Sequence, residues 1–171
     1  VLLLLLVQIH KKLIIIYISI YMVNPMNHKV VSIQDLAGLI EEQIKQNKSV
    51  KLQVSGNSMR PFYKHQKTVV CLEQIHSPLK KYDVVFYRNF SGQYLLHRII
   101  EVKGNMLVIC GDALRKKEYL DYEHMIARVA YHEYQGKIIS EDDNQYVFRV
   151  KLWHFLRFIR FLLLQFYPYQ K

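Results

Sequence analysis

Serine, histidine and aspartate are the residue types that acyl transfer needs, and Ser58 is the first of them that this chain offers in a suggestive setting. It stands in the stretch 54–61, Val-Ser-Gly-Asn-Ser-Met-Arg-Pro, at the end of a short β-like run. Gly56 permits backbone angles that a residue with a Cβ avoids, and Pro61 fixes the exit from the turn. A nucleophilic oxygen needs that kind of bend, open to substrate while its own N–H joins an oxyanion hole. Serine is a poor nucleophile at neutral pH, so a base must take its proton. His97 is the strongest candidate, because an unperturbed imidazole titrates at about 6.5. Arg98 cannot serve, since a guanidinium stays protonated. Lys64 and Lys67 would start near 10.4 and need strong desolvation, roughly the largest shift a protein imposes. His65, among lysines, reads as a solvated loop residue. On local pattern alone the turn is an ordinary polar one. His97, sharing a strand face with Leu95 and Ile99, reads locally as a core histidine.

The elements that would have to position these groups are mostly strands. β-like runs cover 50–54, 68–73, 83–88, 93–102, 106–110, 125–132 and 146–150. Ser91-Gly92 and Gly104-Asn105 punctuate them as hairpin turns. Short strands joined by tight turns predict a mostly β fold, an antiparallel barrel or sheet with peripheral helices. One helix is expected over 32–47. Ser32 and Asp35 make a capping-box-like start, and Ile33, Leu36, Ala37, Ile40 and Ile44 form an apolar stripe. The acidic run 141–144 reads as a solvated turn. Three regions follow: an apolar segment at 1–23, a catalytic domain at 30–150, and a basic, apolar helix at 151–171.

Gly56-Asn57-Ser58-Met59-Arg60-Pro61, then a strand with His97-Arg98-Ile99, then Gly111-Asp112 closing another, resemble the motifs of the type I signal peptidase superfamily. That superfamily also holds the self-cleaving SOS repressors. The resemblance covers about residues 50–136. Most members have lysine as the base, whereas His97 resembles the branch of the endoplasmic reticulum, archaea and some Gram-positive bacteria. The resemblance implies a Ser58–His97–Asp112 triad, with Asp112 orienting the imidazole and Asp121 as a weaker alternative. Asparagine usually follows the family's aspartate, and here Ala113 stands in its place. It also implies an oxyanion hole at the Ser58 N–H with Gly56 or Asn57, Met59 lining the substrate pocket, and cleavage after small residues. Gly56 occupies the position where many bacterial members carry a hydroxyl donor. Asp83 resembles the family's structural turn aspartate. A peptide or preprotein would bind as an added strand. The alternatives are a self-processing regulator cut at Ala37-Gly38, or a catalytically silent membrane-binding module of the same fold.

The net charge of +10 points toward an anionic partner. Much of that charge lies beside apolar residues at the chain ends. In 150–169, Lys151, His154, Arg157 and Arg160 interrupt an aromatic and aliphatic run, as in a helix lying on an anionic membrane. A terminal helix packed on the β domain is the competing reading. Nucleic acid fits less well, because leucines and phenylalanines outnumber residues that follow phosphates. Residues 1–23 are apolar but broken by His10-Lys11-Lys12, so each uninterrupted piece falls short of the ~20 residues a span needs. The segment reads either as a membrane anchor or as a mis-assigned start, with initiation at Met22 or Met26. A membrane-associated protein with an extracytoplasmic active site is the expectation. Cys71 and Cys110 lie in apolar runs and read as buried thiols, with pairing open. No Cys/His cluster has zinc-ligand spacing, and no cofactor is expected.

Overall fold

The computed structural model describes residues 16–17 and 33–156. Helix α1, Ile33–Lys45, buries Ala37, Ile40 and Ile44 at helical spacing. It ends in a left-handed turn: Asn47 has φ 57°, its N–H donates to the Ile44 carbonyl, and the Lys48 N–H donates to that of Gln43. That pattern satisfies two of the last carbonyls and stops the helix.

The strands are β1 (Ile16–Tyr17), β2 (Val50–Gln53), β3 (Thr68–Glu73), β4 (Val84–Arg88), β5 (Tyr94–Lys103), β6 (Met106–Cys110), β7 (Glu118–Asp121), β8 (Met125–Tyr134) and β9 (Lys137–Ser140). They form one curled sheet in the order β1-β2-β3-β8-β4-β5-β6-β7, with β9 on β8. Every pairing is antiparallel except β1 with β2. Register shifts at Cys71/Leu72, Phe86/Tyr87 and Ile99/Glu101 add local twist, which curls the sheet into a half-barrel. Alternation along β4 and β5 then builds two cores. Val84, Phe86 and Leu96 face Ile40, Met59 and Tyr63, whereas Val85, Tyr87, Leu95 and Ile99 face Ile109 and Leu120. Adjacent residues of one strand therefore serve opposite sides, and His97 and Arg98 are such a pair.

Four expectations need correction. Residues 146–150 are not a strand but part of helix α2, Asn144–Phe155. The Asp143 carboxylate caps it by accepting the Tyr146 N–H, and Tyr146 and Val150, four apart, are its buried residues. The acidic run is not wholly a solvated turn, since Glu141 is buried. The domain boundary at 150/151 falls inside α2. Strands β7 and β9 have no counterpart among the expected runs. Both are short, and neither has more than one apolar neighbour pair to mark it. Of the apolar segment 1–23 only β1 is described, and Met22, Met26, Ser32 and the chain from 157 onward lie outside the described residues. Cys71 and Cys110 are both buried and free. Among the described residues no helix is long and apolar enough to cross a membrane.

Candidate active site

Ser58 lies in the connection between β2 and β3, where chain direction reverses through consecutive turns. The Arg60 N–H donates to the Asn57 carbonyl, and those of Phe62 and Tyr63 donate to Met59. Gly56 adopts φ 99°, a left-handed conformation in which a side chain would be strained. Its N–H donates to His65 Nδ1 at 2.8 Å. That bond corrects two expectations: His65 is a brace for the serine turn, and the Gly56 N–H is already engaged. Met59 is 2% exposed and packs within the core, where it anchors the turn. The N–H groups of Asn57 and Ser58 meet no acceptor among the described residues.

The turn is clamped to the end of β6. The Ala113 N–H donates to the Ser58 carbonyl at 2.8 Å, and a Cβ on Gly111 would stand only 2.7 Å from that same oxygen. Arg98 pairs with Cys110, so continuing the ladder by one residue puts Gly111 beside His97. Residues opposite one another in an antiparallel ladder share a face. Asp112, one further along, meets Arg98 on the other face, which shows that alternation persists through Gly111. The Ser58 backbone therefore lies over Gly111 on the face from which His97 projects. Glycine at 111 is what permits the approach.

His97 is buried, and its Nδ1 lies 2.9 Å from Tyr87 Oη. Burial lowers its pKa below the ordinary histidine value, with Glu118 and then Asp112 opposing that shift without cancelling it. The imidazole is therefore neutral at pH 7, as a general base must be. Tyr87 is fully buried. Burial, followed by Glu118 both as a charge and as a hydrogen-bond partner, raises its pKa well above the usual range. It keeps its proton.

Asp112 does not orient His97. Its carboxylate takes a forked pair of bonds from Arg98, Nε at 3.0 Å and Nη2 at 3.0 Å, and a third from His154 Nε2 at 3.0 Å. Burial alone would raise its pKa, but Arg98 and the bond from His154 outweigh burial and hold the carboxyl below its usual range. Arg98, also buried, reaches the Tyr82 carbonyl and Tyr146 Oη, and Glu141 at 3.5 Å. Glu141 in turn holds His132 at 2.7 Å. Trp153 Nε1 donates to the Asp112 carbonyl at 2.9 Å. The Gly-Asp turn is thus a structural knot that ties β5, β6, β9 and α2 together. Asp121 is no substitute, because it pairs with Met106 at the far end of β6. Asp83 accepts the Lys80 N–H and lies 3.6 Å from Arg128, a turn-holding role. Lys64 Nζ is bound to Tyr134 Oη.

No protein-family model matches the chain, and no curated protein matches it.

β6 pairs with β5 only from Arg98 onward, while β4 pairs with β5 from Tyr94 to Arg98. Asn89 N–H to Gln93 carbonyl and Ile99 N–H to Asp83 carbonyl set the parity: the odd-numbered residues of β5 point their amides at β4. The amide and carbonyl of Leu96 consequently point past the last β5–β6 pair, toward the chain that continues from Cys110 through Gly111 and Asp112.

Proposed function

We propose that the protein is a serine endopeptidase that removes leader or signal segments from exported proteins or peptides, with Ser58 as nucleophile and His97 as general base. The observation that carries this reading is the seating of the Ser58 turn on Gly111, on the face from which the neutral His97 projects. The free amides of Asn57 and Ser58 supply donors for developing charge, a contribution worth about 3–4 kcal/mol when one such donor is removed. A substrate would be laid down as an added strand.

In this mechanism Ser58 Oγ attacks the carbonyl carbon as its proton passes to His97 Nε2. The oxyanion draws on the Asn57 and Ser58 N–H groups. Collapse breaks the C–N bond, and the imidazolium gives its proton to the departing amine. Water then repeats the sequence to release the acyl group and restore the hydroxyl.

We further propose that the protein works at an anionic membrane surface, on the extracytoplasmic side. Phe148, Leu152 and Phe155 are 65%, 45% and 83% exposed, and their spacing puts them on one side of α2. Arg149 and Lys151 beside them are exposed. An apolar face flanked by cations is the pattern of an interfacial helix.

The test is cleavage of a leader-bearing peptide by purified protein. Ser58→Ala and His97→Ala should each remove activity, by about 100-fold or more for the base, with the fold retained. Full activity in either variant refutes the assignment.

A further inference from the structure

We propose that Tyr87, with the Glu118 carboxylate behind it, is the positioning pair for His97, in the place where the family resemblance expects an aspartate. This rests on the peptidase reading of Ser58 and His97. His97 Nδ1 lies 2.9 Å from Tyr87 Oη; in the proposed tautomer its N–H donates to that oxygen, and the phenol O–H is left for Glu118 on the same face. Nε2 is then left without its hydrogen, as the peptidase reading requires of the base for Ser58.

The pairing ladders carry the argument. Tyr87 pairs with Leu95, and Val85 with His97, so Tyr87 and His97 rise from neighbouring strands on one face. Glu118 pairs with Ile109, which pairs with Ile99, two residues from His97 and therefore on that same face. Three strands thus deliver imidazole, phenol and carboxylate to one side of the sheet, against the core of Val85, Ile99 and Ile109. The charged group that competes for His97 is Asp112, which belongs to the opposite face and is saturated by Arg98 and His154. A phenol can do what an aspartate does for orientation, since it accepts the Nδ1 hydrogen and fixes the tautomer. It carries no charge of its own, however, so the imidazolium formed during attack is steadied by Glu118 one bond further away.

Two measurements on the full chain test this. The first is the rate at which a fluorophosphonate probe acylates Ser58, followed from pH 5 to 9. The second is the tautomer and titration of the His97 ring by nitrogen-15 NMR, which needs no activity. The proposal expects a hydrogen on Nδ1 of the neutral ring in the wild type. Tyr87→Phe, which removes one oxygen, should slow acylation by about 10- to 100-fold, within the range that general-base catalysis contributes. Glu118→Gln should move the acid limb of the profile to lower pH and lower the titration midpoint of His97. Asp121→Asn should change neither. Hydrogen on Nε2 in the wild-type ring, or a Tyr87→Phe profile that overlays the wild type, overturns the proposal. Should Tyr87→Phe fail to fold, an unchanged His97 midpoint in Glu118→Gln does so instead. Absence of acylation in the wild type sinks the peptidase reading, while the ring measurements still decide the positioning pair.

Discussion

Asp112 and His97 stand on opposite faces of the sheet, and that separation assigns them different kinds of work. Asp112 is fully buried with Arg98, so its loss leaves a buried guanidinium uncompensated. Breaking such a pair costs about 3–5 kcal/mol. Asp112→Ala should therefore lower the midpoint of urea unfolding sharply, and a variant inactive yet fully stable would contradict that role. Because the folded carboxyl titrates below its unfolded value, its stabilisation is present at neutral pH and is lost as pH falls below about 3.9. His97 is shifted the same way, by burial, and so has the same direction of loss. Its folded pKa is lowered, so stability that is complete above about 6.5 declines as pH falls toward the folded value. Ser58 on its bend, and His97 as the only imidazole in the long strand run, could be named from sequence, as could Arg98's inability to act as a base. Tyr87 could not. Within Val-Val-Phe-Tyr-Arg it reads as one more core aromatic, and only the β4–β5 register brings its hydroxyl to the imidazole.

The connection 54–61 and the Gly-Asp turn function as one assembly, because Gly111 lets the Ser58 carbonyl come close. Gly111→Ala places a Cβ 2.7 Å from the Ser58 backbone oxygen and 3.0 Å from the Leu114 side chain, and the backbone oxygen has no flexible tip that could yield. The turn must move, and misplacing a reacting group by about an ångström costs roughly 100-fold. We expect peptide cleavage to fall by at least 10-fold while unfolding free energy drops by only about 1–3 kcal/mol, the usual cost of overpacking. Wild-type kinetics in the Gly111→Ala variant would mean that the clamp does not position the serine. Helix α2 is the element that local reading missed. Tyr146 and Val150 suit a strand by composition, and what decides for helix is the Asp143 cap with their four-residue spacing against the β-sheet. Strands 68–73 and 106–110 were legible to the residue because their apolar runs end at turn formers. Their partners were not, since a ladder's order is a property of residues far apart in sequence.

At the scale of the whole molecule, one curled sheet puts the proposed catalytic residues on one side and a charged knot on the other, with α2 latched to that knot through Trp153 and His154. The same helix turns Phe148, Leu152 and Phe155 outward. If that face meets a membrane, Phe148→Glu with Phe155→Glu should abolish co-sedimentation with vesicles containing anionic lipid and leave cleavage of a soluble peptide intact. Retained binding would assign the exposed aromatics to some other contact. The mostly β class could be read from the spacing of strands and turns, whereas the half-barrel emerged only from the pairing. The central claim, that Ser58 is a nucleophile served by His97, is tested most directly by intact-protein mass spectrometry after exposure to a serine-directed acylating reagent. One adduct per chain, mapped to Ser58 and missing in His97→Ala, is the predicted result; an unmodified wild-type chain, or equal modification of the His97→Ala variant, would contradict it.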